Sequence, residues 1–121
     1  QLTSIDQVDV NRARSYPDIV EEFLEWGKID DEEHLICTWG SFDRKIMADN
    51  CILHGLDPWW TASHANLKDL YMKMNRFRSP IGLKKAVERE GFEFTGTHHR
   101  GISDAENLTK VFLKFMNDWK F

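Results

Sequence analysis

Long apolar runs are missing from this sequence, so no segment is long and apolar enough to cross a bilayer as a helix. Cysteine is nearly missing too: Cys37 and Cys51 are too few for a disulfide framework, and Cys37 stands in an apolar run where a small hydrophobe would serve as well. Both are expected to be reduced thiols, which fits a cytoplasmic protein. Only three prolines are present, and no repeat, low-complexity tract or linker interrupts the chain, so a fibrous or disordered architecture is excluded. No G-x-S-x-G elbow, phosphate-binding loop of the Walker type or dinucleotide fingerprint occurs, which removes the motif-bearing hydrolase, nucleotidase and dehydrogenase classes. The opening "QLTSIDQVDV" has neither the basic start nor the apolar block of a signal peptide, and it lacks an initiator methionine, so an upstream segment is expected.

What remains is 121 residues with 41% hydrophobic and 30% charged side chains, the composition of one globular domain with a moderate core. Its net charge of −4 is unevenly spread. Residues 1 to 33 carry ten acids against Arg12, Arg14 and Lys28, a local −7. Residues 68 to 89 carry Lys68, Lys73, Arg76, Arg78, Lys84, Lys85 and Arg89 against two acids, a local +5. Such a basic stretch is either a solvated helix face or a surface that attracts phosphates.

Periodicity supplies the elements. Ser15 ahead of "YPDIVEEFLEW" combines a cap, a proline in the first turn and an apolar face of Ile19, Val20, Phe23 and Leu24, predicting a helix that ends near Gly27. "HLICT", residues 34 to 38, reads as a short buried strand. From Ser41 the period lengthens to about 3.6, with Phe42, Ile46, Met47, Asn50 and Leu53 near one stripe and Gly55 as the stop. Asp43 then stands just past the strand's carboxyl end, on the rim where open α/β sheets collect ligands. "DPWWTASHANLKDLYMKMNRFR" reads as a loop leading to a helix from about Leu67, and Ser79 with Pro80 as the start of "IGLKKAVERE", whose Leu83, Ala86 and Val87 face inward. The last helix is expected to open with a capping box of Ser103 and Glu106 and to bury Leu108, Val111, Phe112, Phe115 and Met116.

Two acids therefore fall at helix starts, Asp43 and Asp104, with His99 on the loop entering the second helix. Helix amino termini lower the cost of keeping carboxylates ionised. Two such acids, a histidine and a basic strip suit metal-assisted cleavage of a phosphodiester. First-turn acids are also ordinary helix stabilisers, and His98 and His99 in a Gly-Thr loop would ordinarily be surface residues. Cys51 and His54, with His64 beyond, could offer zinc ligands, but no second close pair completes a tetrahedron. Trp39, Trp59 and Trp60 could stack bases, although such aromatics commonly pack a core.

"TWGSFDRKIM" and "GTHHRGISDAENLTKVF" together resemble the second and third exonuclease motifs of the DEDDh 3′→5′ exonuclease superfamily, and "NLKDLY" and "IGLKKAVEREG" resemble its Eri-type exoribonuclease branch. The similarity runs from about Leu2 through the last helix. It implies an α/β, ribonuclease H-like fold and a two-metal hydrolase, with four acids holding two Mg²⁺ or Mn²⁺ ions and a histidine activating water. On this chain Asp43 and Asp104 would be metal ligands and His99 the general base. Lys68, Arg76, Arg78, Lys84 and Lys85 would contact the backbone of a single-stranded RNA or DNA 3′ end.

Family members begin with a strand bearing D-x-E, and no such strand opens this chain. Asp31, Glu32 and Glu33 have the spacing but lack an apolar strand before them, so they do not substitute. The expectation is a fold incomplete at its N-terminus, its opening strands missing. Residues 1 to 121 would then form the C-terminal part of a single exonuclease domain that self-associates or takes the missing segment from elsewhere. The alternative is an inactive nucleic-acid-binding or interaction module of the same fold.

Overall fold

The structure, a computed structural model, describes residues 5 to 121. Its organising element is a two-stranded parallel sheet: β1 (Ile36–Thr38) pairs with β2 (His64–Asn66) in the register Ile36 to His64, Cys37 to Ala65 and Thr38 to Asn66. Parallel strands need a crossover, and α3 (Phe42–Leu53) with the short 3₁₀ turn Trp59–Thr61 supplies it. Before the sheet come α1 (Gln7–Arg12) and α2 (Tyr16–Trp26); after it come α4 (Leu67–Asn75), α5 (Leu83–Arg89) and α6 (Gly101–Lys114).

Because successive strand residues point to opposite faces, the sheet divides the core in two. Ile36 packs with Val20, Ile29, Cys51 and Trp60, a cluster built from α2, α3 and the loops beside them. Cys37 and its register partner Ala65 pack on the other side with Leu67, Tyr71, Leu83, Ala86, Val87 and Val111, the inner faces of α4, α5 and α6. The result is helix, sheet, helix in three layers.

Several expectations are met by the local chemistry. Ser15 caps α2 by accepting from the Asp18 amide, and Gly27 ends it. Leu83, Ala86 and Val87 are the buried face of α5. Both cysteines are free thiols, Cys51 fully buried and Cys37 half-buried, where burial pushes the Cys37 thiol up.

Others are corrected. Of the expected α3 stripe of Phe42, Ile46, Met47, Asn50 and Leu53, Met47 faces inward and is joined by Cys51, whereas Phe42 is 71% exposed and Leu53 77%. The reason is the tyrosine of α2, whose hydroxyl donates to the Met47 carbonyl at 2.8 Å and touches Cys51 Sγ, so α2 docks on that side. Ser79 and Pro80 do not start α5, which begins at Leu83 behind Gly82. Met116 is exposed and α6 ends before it. The 3-residue strand β2 lies where the sequence suggested only loop, and α1 falls in a segment for which the sequence offered no element.

A polar knot joins the three helices of the lower layer. Tyr71 of α4 donates to Glu90 after α5, Arg89 donates to the Tyr71 oxygen at 3.0 Å, and Lys114 of α6 pairs with Glu90 at 3.0 Å. Burial alone pushes the Glu90 carboxyl up, but the Tyr71, Lys114 and Arg89 donors outweigh it and hold the group below the usual carboxylate range. A carboxyl held low in the fold favours the native state above its ordinary value, about 4.3, and that contribution is lost as pH falls through the lower folded value. Urea midpoints measured across this acid range should therefore fall for the wild type, and the fall should be shallower in Glu90→Gln. An acid limb identical in both proteins would show that the knot contributes nothing to stability.

Candidate active site

The first half of the site is built where β1 ends. Gly40 has φ +107°, a conformation side chains resist, and this lets the chain turn sharply out of the strand into α3. The Thr38 hydroxyl donates to the Gly40 carbonyl at 2.6 Å. That hydroxyl has one proton to give, so the 2.6 Å contact from His64 Nε2 must be donated by the imidazole. Asn66 accepts from the Gly40 amide at 3.0 Å and from the Asp69 amide at 3.3 Å, so one side chain holds the turn and caps α4. Burial holds His64 below the usual imidazole range, the nearby Arg44 cation adds to this, and Asp43 opposes it. Asp43 follows in the first turn of α3, exposed, where the helix amino terminus favours a carboxylate.

The second half is the loop ahead of α6. Asn107, fully buried, accepts from the Thr95 amide at 3.0 Å and donates to the Thr95 carbonyl and the Ser103 carbonyl, both at 2.7 Å. Ser103 Oγ accepts from the Thr97 amide at 3.2 Å. Gly96, at φ +81°, lies so close that an added Cβ would stand 2.4 Å from Ser103 Oγ. Ser103 is thus not the cap of α6: the helix starts at Gly101 behind Arg100, and the serine sits inside, riveting the loop.

That rivet sets the histidines. His99 adopts φ +66°, a left-handed backbone in which histidine is enriched over most residues yet still uncommon. Asp104 Oδ1 meets His98 Nδ1 at 3.1 Å and accepts from the His99 amide at 3.3 Å. The two imidazole centroids are 3.9 Å apart, and Phe94 packs edge-on against His98.

The halves face one another. Asp43, His99 and Asp104 line a single cleft of about 350 Å³, floored by Cys37, Trp39 and Leu83. Of the tryptophans, Trp39 lines this cleft and donates to the Ile81 carbonyl at 2.9 Å, Trp60 is core, and Trp59 lies elsewhere against His34. Lys84 and Lys85 follow Leu83 in the first turn of α5, and of these three it is Leu83 that lines the cleft. Lys68 is on the first turn of α4, Arg78 is in the loop after it, and Arg76, with Lys73 and Lys120, lines a different depression of about 480 Å³. The expected strip is therefore divided. Asp31 and Glu33 are in an exposed turn and do not line the cleft, as their lack of a preceding strand suggested. Cys51 and His54 are engaged with Tyr16, while His64 serves Thr38. His98 was legible only as a surface histidine; the His-His pair next to H-x4-D was the one available signal.

A parallel sheet between helical layers, with two first-turn aspartates and a histidine converging at a strand's carboxyl end, is the plan of a ribonuclease H-like nuclease fold. The solved nuclease domain of 3′hExo, a DEDDh family member bound to rAMP, superposes with a TM-score of 0.85 at 26% identity, covering 97% of this chain and 62% of that one. The exonuclease family model, RNase_T, matches residues 1–112, and the chain belongs to that family within the DEDDh exonuclease superfamily. The probable 3′-5′ exonuclease KapD of Bacillus subtilis is 31% identical over 122 residues, covering 97% of this chain and 56% of that protein. The 3′-5′ exoribonuclease 1 of Mus musculus is 27% identical over 124 residues, 97% of this chain and 36% of its own length. This chain thus spans between about a third and somewhat over half of those two relatives. No helix among the described residues is long and apolar enough to cross a membrane.

Replacing Asn107 with alanine leaves the Thr95 amide and carbonyl unpaired beside a cavity. The cost should be about 1.5–4.5 kcal/mol, at roughly 0.5–1.5 kcal/mol for each of the three hydrogen bonds lost. Chemical denaturation measures it, and amide exchange at residues 95 to 99 should quicken more than at Val87. A loss under about 0.5 kcal/mol, the size of an ordinary surface change, would show that the loop is held by something else.

Proposed function

We propose that this chain carries part of the active site of a 3′→5′ exonuclease that hydrolyses the terminal phosphodiester at single-stranded RNA 3′ ends, with DNA ends as possible substrates. The observation that carries the reading is the shared cleft of Asp43, His99 and Asp104. DEDDh exonucleases generally use divalent metal ions, and two carboxylates at helix amino termini are hard oxygen donors that fit Mg²⁺ or Mn²⁺. When bound, two such ions stabilise charge on the entering and leaving oxygens.

In this assignment Asp43 and Asp104 are metal ligands. His99, its backbone tied to Asp104, accepts the proton of the attacking water, a role for which imidazole is suited near neutral pH. Lys84 and Lys85, next in sequence to the cleft-lining Leu83, contact backbone phosphates, with Lys68, Arg76 and Arg78 further along the substrate. The names of the relatives, 3′-5′ exoribonucleases and an rAMP-bound nuclease domain, support RNA over DNA.

Asp43 and Asp104 are the only acids lining the cleft among the described residues, whereas the superfamily's set has four. Residues 1 to 121 therefore read as the C-terminal part of a single exonuclease domain, whose other two acids arrive on strands added to the sheet. Supporting this, the sheet has only two strands among the described residues, and Ile19, Trp26, Ile102 and Leu113 are large apolar side chains left exposed on α2 and α6. The two-acid cleft also favours a second reading, an inactive nucleic-acid-binding module of the same fold.

A 5′-labelled oligoribonucleotide incubated with Mg²⁺ or Mn²⁺ should be shortened stepwise from its 3′ end by the full-length gene product. His99→Ala should lower the rate by about 10²–10⁴-fold, the usual worth of a general base, and Asp104→Ala should abolish shortening. Salt-sensitive binding without shortening supports the module instead; neither binding nor cleavage sinks both readings. Residues 1 to 121 alone should self-associate, or become stable only when the missing segment is added. A heat-resistant monomer in sedimentation would overturn the partial-domain assignment.

A further inference from the structure

His98 is absorbed by none of these roles, yet it touches the same carboxylate as His99. One ligand atom from each of His98, His99 and Asp104 falls within 4.8 Å of the other two. The His98 Nδ1 to Asp104 Oδ1 distance, 3.1 Å, is close to the edge of a tetrahedron around zinc, roughly 3.3 Å for bonds of about 2.0–2.1 Å. Two imidazoles and a carboxylate are the donor set of an open zinc site, which keeps its fourth position for water. Mg²⁺ prefers oxygen ligands, so nitrogen donors discriminate against it.

The set is also held in place. The loop carrying both histidines is riveted to α6 through Asn107 and Ser103, and the left-handed backbone at His99 turns its ring alongside that of His98. A ligand set whose supporting bonds are already formed spends less of its binding energy on ordering the chain.

We propose that His98, His99 and Asp104 form a transition-metal site of the zinc class, which shares Asp104 with the oxygen-ligated ions expected between Asp43 and Asp104. Zinc there occupies the imidazole lone pair of His99 and the carboxylate of Asp104, so a bound ion silences the nuclease. The binding is independent of the exonuclease reading; the inhibition rests on it.

Cobalt is the probe, because its visible ligand-field bands report coordination. Titrating the purified protein with Co²⁺ should give the intense bands of a four- or five-coordinate ion with nitrogen ligands, bleached on adding Zn²⁺. Calorimetry should show zinc bound at least about tenfold more weakly by His98→Ala and by His99→Ala, a conservative expectation since losing even a ligand's hydrogen-bond partner costs about 10–100-fold. The weak spectrum of a water-coordinated ion, or zinc affinity unchanged in both variants, would overturn the site; the wild-type spectrum decides even if a variant fails to fold. In the Mg²⁺-supported shortening assay, zinc should inhibit, and His98→Ala should need at least about tenfold more of it. Inhibition equally strong in that variant would also count against the proposal. Zinc bound through these residues by a protein that never shortens RNA keeps the site and removes the nuclease; shortening without zinc binding does the reverse.

Discussion

The parallel pairing of three residues of β1 with three of β2 decides where everything else can stand. It sets Thr38 against Asn66, and those two bond the turn at Gly40, with His64 donating to the Thr38 hydroxyl behind it. A neutral hydrogen bond contributes only about 0.5–1.5 kcal/mol, so no single link fixes the turn. Several links share residues, however: Asn66 serves both the turn and the amino terminus of α4, and Thr38 both the turn and His64. Moving Asp43 would thus disturb the sheet and α4 together. Position at this rim follows from the ladder rather than from the helix that bears the carboxylate.

The opposite wall of the cleft relies on a different device. No strand holds residues 95 to 99, and their backbone would be free to fray were it not bonded sideways to α6 by Asn107 and Ser103. Both side chains are buried within the helix's inner face, a costly place for polar groups unless satisfied, and here they are satisfied by the loop itself. The same contact explains Gly96, where any side chain would collide with Ser103. Residues 95 to 99 are consequently an extension of α6, and Asp104 with both histidines moves as one body with that helix.

The sequence was most readable where local chemistry and packing agree. Ser15, Pro17 and the spacing of Val20, Phe23 and Leu24 locate α2 because cap, first turn and buried face all point the same way. The ribonuclease H-like plan and the meeting of Asp43, His99 and Asp104 were likewise legible, through the family resemblance carried by two motifs that each run into a helix. Three features escaped for physical reasons. A strand as short as His64–Asn66 has no room for a period. The buried face of α3 is chosen by a tyrosine from another helix, which no pattern within α3 encodes. Ser103 fits the sequence rule for a cap, but it is spent on the Thr97 amide instead.

Charge completes the picture of the cleft. The acid-rich first 33 residues could repel a polyanion if they faced it, since potentials of one sign accumulate over a surface. They do not line the cleft: Asp18 and Glu21 border a separate depression with Asp57, Trp59 and Trp60, on the α2 side of the sheet. Lys84 and Lys85, by contrast, belong to α5, whose buried face packs on the other side of the sheet. The sheet between the two core clusters thus separates the acidic layer from the basic one. Asp43 and Asp104, the only acids lining the cleft among the described residues, are where a divalent cation gains most and where an unescorted phosphate gains least.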